Sequence, residues 1–345
     1  MFQAKCLEKI RDKRNQIIGY KLVDKDKNEA VVKPNRLKEA IRAGQIEVIN
    51  LILTSDNRLI DKKPATPSKS TTTPSKPSIN VEAIINKAKG NGYSITAFDT
   101  DCGHKCYIAS SSDNIKHILI IPDDVEYLYD KNIRHGFDDI FGCGCDIAER
   151  IADIRGTLKV IGGKGLTSTT YMFCRCEVQS LDLSSFNTSN ITSMEAMFFE
   201  CGVQSLDLSS FDTSKVTDME SMFRSCKAQL IDLSSFDTSN VTNMRYMFYD
   251  CRAHSIYLNS FDTSKVTNMR GMFYWCRAKS LDLKAFNTSN VTDMAWMFYR
   301  YEAIFIDLRS FDTSKVTDMN HMFKDCTSYS IETNDPKILD ELKRR

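Results

Sequence analysis

The hydrophobic pattern of the second half of the chain repeats every 25 residues between Asp182 and Cys326. The apolar positions of one unit are Leu206, Leu208, Phe211, Met219, Met222, Phe223 and Cys226. Similar frames begin at Leu181, Ile231, Ile256, Leu281 and Ile306. Self-similarity at this period is typical of stacked supersecondary units that cannot bury their apolar faces alone.

Each unit predicts a short strand, a turn and a short helix. The Leu-x-Leu pair has the period of two that is typical of a strand. The Asp-Thr-Ser or Asn-Thr-Ser segment after each Phe predicts a turn, because these side chains bond nearby backbone. The last four apolar positions are spaced i, i+3, i+4 and i+7, as from Met194 to Cys201, which predicts about two turns of helix. Thr217 is the expected N-cap, and Glu220 completes a capping box.

Three segments of one unit carry a family resemblance: Leu206-x-Leu208, Phe211-Asp212-Thr213-Ser214-x-Val216-Thr217-x-Met219, and Met222-Phe223-x-x-Cys226. They resemble the BspA-like leucine-rich repeats, in the 25-residue variant found in Mycoplasma lipoproteins and in surface proteins of Listeria and lactobacilli. The resemblance covers about half of the chain. It implies an α/β fold, a right-handed leucine-rich-repeat solenoid used for protein binding, and it implies no catalysis.

Composition divides the chain into five predicted segments. They are a small basic α+β module at 1–63, a Pro/Ser/Thr-rich linker at 64–78, an α+β N-terminal cap of the solenoid at 79–165, the repeats at 166–331 and a capping helix at 332–345. In the first module, Pro34 to Gly44 predicts a helix. The linker predicts a mobile tether. In the last segment, Asp335 is the expected N-cap and Pro336 the first helical residue.

Charge and cysteine usage bear on the compartment. Residues 1–78 hold 17 Lys and Arg against 9 Asp and Glu, a net charge of +8, which leaves −7 for the remainder. Six cysteines occupy one repeat position and are predicted to be reduced core thiols: Cys176, Cys201, Cys226, Cys251, Cys276 and Cys326. Tyr301 replaces the cysteine in one unit and is expected to distort it locally. No export signal and no run of about 18 apolar residues is found, which favours a reducing cytoplasm.

The chemistry of the chain offers few candidate sites. Motifs typical of nucleotide binding, serine hydrolysis and zinc proteolysis do not occur, and no cofactor is predicted. A weak zinc candidate comprises Cys102, His104, Cys106, Cys143 and Cys145, whose spacing differs from the usual paired Cys-x2-Cys. Aspartates recur at one strand position, from Asp182 to Asp307. They must face solvent or be neutralised, and calcium is an alternative hypothesis.

The outward positions of the central and later repeats predict a binding surface. They become aromatic and basic: Arg245, Tyr246, Tyr249, Arg270, Tyr274, Trp275, Trp296, Tyr299 and Arg300. Three of the tyrosines share one repeat position and are expected to stack. Tyr, Trp and Arg dominate binding hot spots, although the rings could instead cover grooves between helices.

The leading hypothesis is therefore a non-enzymatic, intracellular protein-binding solenoid, such as a phage or bacterial inhibitor. The alternatives are a BspA-like surface or secreted adhesin and a zinc- or thiol-dependent enzyme at 79–165. Nucleic acid is a disfavoured partner, because the repeat body is acidic. The sequence does not predict an oligomeric state.

Overall fold

The computed structural model describes the strands of residues 2–61 and, beyond them, residues 78–100, 102–128, 146–328 and 330–344. The chain divides into two compact units, Met1–Ser68 and Lys69–Arg345. Among the described residues, fifteen strands outnumber three helices. Every described helix is too short or too polar to cross a membrane.

The described part of the first unit contains six strands. β1 (Phe2–Arg11), β2 (Ile17–Asp24), β3 (Glu29–Val32) and β4 (Ile46–Val48) form one sheet in the order β3-β2-β1-β4. β5 (Leu51–Leu53) and β6 (Leu59–Asp61) form an antiparallel pair. The helix predicted from Pro34 to Gly44 lies outside the described residues, as does the linker except for Ser78.

The second unit begins with α1 (Val81–Gly90), whose N-cap Asn80 accepts a hydrogen bond from the Ala83 N–H at 2.9 Å. A five-stranded sheet follows in the order β11-β10-β9-β8-β7. Its strands are β7 (Ser94–Asp99), β8 (Lys105–Ser110), β9 (Lys116–Ile121), β10 (Thr157–Gly162) and β11 (Ser180–Phe186). α2 (Asp146–Ala152) precedes β10. Because β11 belongs to a repeat and pairs with β10 in parallel, this sheet continues into the repeats.

Short parallel strands recur in the repeats. They are β12 (Leu230–Asp232), β13 (Ser255–Tyr257), β14 (Phe305–Asp307) and β15 (Ser330–Glu332). β12 pairs with β13 and β14 with β15, each in a register of one repeat. Equivalent residues of neighbouring repeats therefore lie opposite one another in these parallel pairs. At Leu206–Leu208 and Leu281–Leu283 the equivalent residues form no strand.

The prediction of a short helix in each repeat is wrong. From Met194 to Cys201 the backbone forms successive tight turns instead. The N–H groups of Met197, Phe199 and Cys201 each donate to the carbonyl three residues earlier, at 3.0–3.3 Å. The N–H groups of Met194 and Ala196 donate to carbonyls of the next repeat, at 2.9 and 2.8 Å. Hydrogen bonding therefore alternates between the turn itself and the neighbouring repeat, whereas in a helix it would run along one segment.

We call this part of each repeat the turn segment. Every fourth residue in it has a positive φ, which an α-helix excludes; Tyr246 has φ 55° and Asp250 φ 49°. A left-handed conformation costs an L-residue about 1 kcal/mol, and the hydrogen bonds between repeats offset that cost. The apolar spacing misled the prediction because successive turns of this period also direct the i, i+3, i+4 and i+7 positions inward. Met244 and Cys251 are both fully buried.

The capping box predicted from Thr217 and Glu220 is also wrong. The Thr217 hydroxyl donates to the carbonyl of Thr192 at 3.2 Å. The Glu220 N–H donates to Asp218 Oδ1 at 3.0 Å. These threonines therefore join neighbouring repeats, and no helix begins at them.

A second column of threonines is buried after each phenylalanine. Thr213 is 2% exposed. Its hydroxyl donates to the carbonyl of Asp237 at 2.9 Å and accepts from the N–H of the same residue at 2.8 Å. The members of the column are Thr188, Thr213, Thr238, Thr263, Thr288 and Thr313. Each hydroxyl is thereby satisfied inside the protein, which removes the penalty of burying it.

The core of the repeats consists of columns of identical residues. Seven phenylalanine rings stack at centroid distances of 5.5–5.7 Å, within 14° of parallel: Phe173, Phe198, Phe223, Phe248, Phe273, Phe298 and Phe323. Beside them the six predicted cysteines are buried thiols, as predicted. Tyr301 takes the cysteine position and is 1% exposed. The Arg277 N–H bonds the Cys251 carbonyl at 3.0 Å, but the described residues hold no such bond from Glu302, so the column is interrupted beside Tyr301.

The last repeat is followed by α3 (Pro336–Leu342), with Asp335 as its N-cap, as predicted. The Asp335 carboxylate accepts hydrogen bonds from the N–H groups of Lys337 and Ile338. It also accepts from the hydroxyl of Thr313 at 2.7 Å, in place of the backbone that a further repeat would supply. Ile338 is fully buried and covers the end of the core.

Candidate protein-interaction surface

Residues alternate between inside and outside along the exit from each turn segment. In one repeat Trp275 is half-exposed, Cys276 is buried and Arg277 is exposed. Because the N–H groups bond the adjacent repeat, equivalent side chains lie one above the other across repeats. The outward positions therefore form columns, and their chemistry is set by what each repeat carries at that position.

Tyr249, Tyr274 and Tyr299 form such a column, which we call the aromatic stripe. Consecutive rings stack with centroids 4.5 Å apart and planes 18° and 16° from parallel. All three side chains are half-buried. Burial, together with the neighbouring tyrosines, raises the pKa of Tyr274 to about 12. The stacking that the repeat spacing predicts is confirmed.

Two further residues extend the stripe toward the earlier repeats. The guanidinium of Arg224 lies 4.6 Å from the ring centroid of Tyr249 and 5.3 Å from that of Phe199. Both residues occupy the repeat position of the stripe tyrosines. The sequence prediction missed them because it followed aromatic residues in the central and later repeats. The 25-residue spacing contains the signal that would have included them.

Other predicted contact residues are occupied by internal contacts. The guanidinium of Arg270 stacks 4.4 Å from the Trp296 ring and pairs with Asp293 and Asp318 at 3.2 and 2.9 Å. Its side chain is 22% exposed. This arrangement matches the alternative in which aromatic rings and arginines satisfy one another.

The neighbouring pair is similar. Arg245 lies 4.8 Å from the Tyr246 ring and 3.6 Å from Glu220. The Tyr246 ring also lies over Gly271, where an added Cβ would come within 2.3 Å of it. Arg245 and Tyr246 are therefore packed within the repeats and offer a partner less accessible surface than their residue types suggest.

Trp275 is the most accessible aromatic residue of the predicted set. It is 50% exposed, and Arg300 lies 5.7 Å from its ring. Arg300 also contacts the Tyr299 ring and pairs with Asp325 at 3.4 Å. Trp275 thus places an exposed ring beside the aromatic stripe, and the predicted residues separate into a packed group around Arg270 and an accessible group around Trp275.

The zinc candidates do not come together in the part of the chain that is described. Cys106 is buried, whereas His104 is exposed and lies 2.8 Å from Asp124. No described group of three or more His, Cys, Asp or Glu side chains suits a metal ion, and Cys143 and Cys145 lie outside the described residues. Zinc binding stays a prediction.

Cys102 is the candidate nucleophile of the thiol-enzyme hypothesis. Its sulfur lies 3.0 Å from the hydroxyl of Thr100. Partial burial raises the pKa of Cys102, but hydrogen bonds from Thr100 and the backbone of Tyr127 outweigh it, so that the pKa lies below its ordinary value. A lowered pKa favours the thiolate. The described contact with His104 is a hydrogen bond from its backbone, and the thiol-enzyme hypothesis stays a prediction.

The aspartates that recur at one strand position, which we call the aspartate column, have local hydrogen-bond or ion-pair partners. Asp207 accepts hydrogen bonds from the N–H and hydroxyl of Ser209 at 3.0 and 2.6 Å. Lys159 lies 2.7 Å from Asp182 and lowers its pKa to about 2. Arg309 does the same for Asp307. The lysine and the arginine therefore neutralise the two ends of the column, and the calcium hypothesis stays untested.

Comparison with known proteins places the repeats in a family. A model of the family described as Mycoplasma protein of unknown function, DUF285, matches residues 167–280 and 252–339. The two matches together span 167–339, half of the chain. No curated protein and no solved structure matches it.

Proposed function

The chain belongs to the DUF285 family, and we propose that its repeat body is a right-handed, BspA-like leucine-rich-repeat solenoid that binds another protein without catalysing a reaction. The backbone hydrogen bonds that connect each turn segment to the next repeat support a stacked solenoid. Such stacks offer extended surfaces on which side-chain columns can vary while the backbone stays the same.

The observation that carries the binding proposal is Trp275. A tryptophan that is 50% exposed gains little from folding and contributes most when a partner covers it. It adjoins the aromatic stripe, whose stacked rings are pre-organised and lose little side-chain entropy on binding. The proposed contact surface is therefore Tyr274, Tyr299, Trp275 and Arg300, with Arg270 and Trp296 supporting it from within.

Affinity capture with matched variants tests this proposal. Tagged full-length protein is used as bait in a lysate of its source, alongside Trp275→Ala, Tyr274→Ala and a control, Lys265→Ala. Lys265 is exposed and bonds Asn240 at 2.6 Å. We expect one protein to be captured by the parent and the control and to be lost with Trp275→Ala and with Tyr274→Ala.

The captured protein is then purified for calorimetry. We expect Trp275→Ala to weaken its binding by about 2 kcal/mol, a typical hot-spot value. Equal capture by all four baits, with thermal unfolding unchanged, would contradict the proposal. The hypothesis of an intracellular inhibitor stays a prediction. The reducing compartment also stays a prediction, since the six column cysteines are thiols but Cys174 is disulfide-bonded.

A further inference from the structure

Three arginines near the aromatic stripe have no ion pair among the described residues. Of the eight arginines in residues 166–331, five lie within 3.6 Å of a carboxylate. The other three are Arg224, Arg252 and Arg277. Arg224 is stacked between aromatic rings, so its charge is covered on both faces. Arg252 and Arg277 are exposed and have neither a stacked ring nor a carboxylate in the described structure.

Lys227, Arg252 and Arg277 occupy one outward position in three consecutive repeats, which we call the basic column. Their N–H groups bond the carbonyls of Cys201, Cys226 and Cys251 at 2.8, 2.9 and 3.0 Å, which holds them one repeat apart. Lys227 reaches back to Glu177 at 3.4 Å.

The two arginines therefore stand side by side with like charge. Neighbouring repeats lie about 5 Å apart, and two like charges at that distance repel by about 1 kcal/mol in water. A carboxylate placed between two guanidinium groups reverses the sign of this interaction, and the planar guanidinium matches a carboxylate in two parallel hydrogen bonds.

Nearby carboxylates of the protein are already engaged. Glu302, the next residue of the same column, pairs with Lys279 at 3.2 Å. Asp250 accepts a hydrogen bond from Ser225 at 3.3 Å. Arg252 and Arg277 form no ion pair with a described carboxylate, so both guanidinium groups are free to pair with carboxylates of a ligand.

Trp275 is two residues before Arg277, and both residues are exposed. Its φ of 53° is unusual for a residue of this size. Other repeats carry Glu200, Ser225, Asp250 and Arg300 at this position, so the backbone does not require a tryptophan there. An exposed ring beside two unpaired arginines is suited to a ligand that has both an apolar group and carboxylates.

We propose that Trp275, Arg252 and Arg277 bind an acidic segment of the partner protein, whose carboxylates pair with the two arginines while an apolar side chain packs on the indole. This inference rests on the proposed function and specifies the chemistry of the partner. A nucleic acid is the weaker candidate. The net charge of −7 on residues 79–345 repels a long polyanion, whereas a short segment responds to charges within a Debye length of about 8–10 Å.

The test uses full-length protein and fluorescent probes of defined composition. One is a short peptide with glutamates on both sides of a single phenylalanine. The second has glutamine at each glutamate, and the third is a single-stranded oligothymidylate. Binding is followed by fluorescence anisotropy at low and at physiological salt. We expect the acidic peptide to bind best and to weaken as salt is added.

The informative variant carries Arg252→Glu and Arg277→Glu. We expect this variant to bind the acidic peptide about tenfold more weakly or worse, because reversing a charge at an interface turns attraction into repulsion. The matched control carries Lys265→Glu and Lys315→Glu, exposed lysines that bond Asn240 and Asn290 at 2.6 Å, and should bind like the parent. Because all four substituted residues are exposed, the two double variants should have the same thermal unfolding temperature.

Three results would overturn the inference: equal binding of the glutamine peptide, tighter binding of the oligothymidylate through the same arginines, or no binding of the acidic peptide. Its failure is distinguishable from that of the proposed function. If Trp275→Ala abolishes capture of the cellular partner while the charge reversal does not, the surface is right and the acidic chemistry is wrong.

Discussion

The inner and outer positions of the turn segments share one backbone but differ in how much they vary. Inside, the same residues recur at each level, as in the column of Phe223, Phe248 and Phe273. Outside, one position carries Ser225, then Asp250, then Trp275 and Arg300. The inner residues must fill the same space in each repeat, because protein interiors tolerate little change in volume. The outer residues meet solvent or a partner, so each repeat can differ without loss of stacking.

Removing one inner ring should have the largest effect. Phe248 is fully buried and stacks between two neighbouring rings. We expect Phe248→Ala to lower the free energy of unfolding by about 3–5 kcal/mol. The adjacent outer residue provides the comparison, and Tyr249→Ala should cost about 1 kcal/mol, mainly in ring stacking. Denaturant unfolding of both variants measures the difference, and equal losses would show that the two sides are not energetically distinct.

Removing the hydrogen-bond partner of Thr313, the last member of the buried threonine column, should lower the stability of the protein. Asp335→Ala removes the N-cap of α3 and the acceptor of the buried Thr313 hydroxyl. We expect a loss of about 1–2 kcal/mol in thermal or denaturant unfolding. Asp340→Ala is the control, because this exposed residue forms only surface ion pairs. If Asp340→Ala destabilised the protein as much as Asp335→Ala, the prediction that the N-cap has a special role would be wrong.

Gly271 tests whether an outer position can become constrained by its neighbour. It has φ 59°, and an added Cβ would lie 2.3 Å from the Tyr246 ring. We expect Gly271→Ala to cost about 1–3 kcal/mol, a typical price for overpacking. In the double variant with Tyr246→Ala the two effects should not add, because the clash is gone. Additive losses would show that backbone conformation alone is responsible.

The smallest effect should come from the aspartate column and depend on pH. Lys159 lowers the pKa of Asp182 to about 2 in the folded protein. The pair therefore stabilises the fold above the ordinary pKa of about 3.9 and ceases to do so as the pH falls toward 2. Asp182→Asn should be less stable by about 0.5 kcal/mol at neutral pH, since the pair is exposed. This difference should vanish near pH 2, and a constant difference would point to another cause.

Much of the repeat architecture could be predicted from the sequence. The 25-residue spacing locates the columns, because stacking places equivalent residues together whatever the backbone between them. It thereby predicts the buried cysteines and the stacked Tyr249, Tyr274 and Tyr299. Asp335 followed by Pro336 likewise predicts α3, since N-capping is decided by residues close in sequence.

Only the tertiary structure decided how the turn segments are built and which outer residues are accessible. A helix and a series of turns both direct the side chains at these positions inward. The two backbones differ in their hydrogen bonds to the next repeat, such as the bond from the Ala196 N–H to the Glu220 carbonyl. The accessible surface depends likewise on contacts between repeats. Arg270 is held by Asp293 and Asp318, the latter 48 residues away, while Arg277 meets no carboxylate among the described residues. Composition makes the two arginines alike, but the side chains that surround them differ.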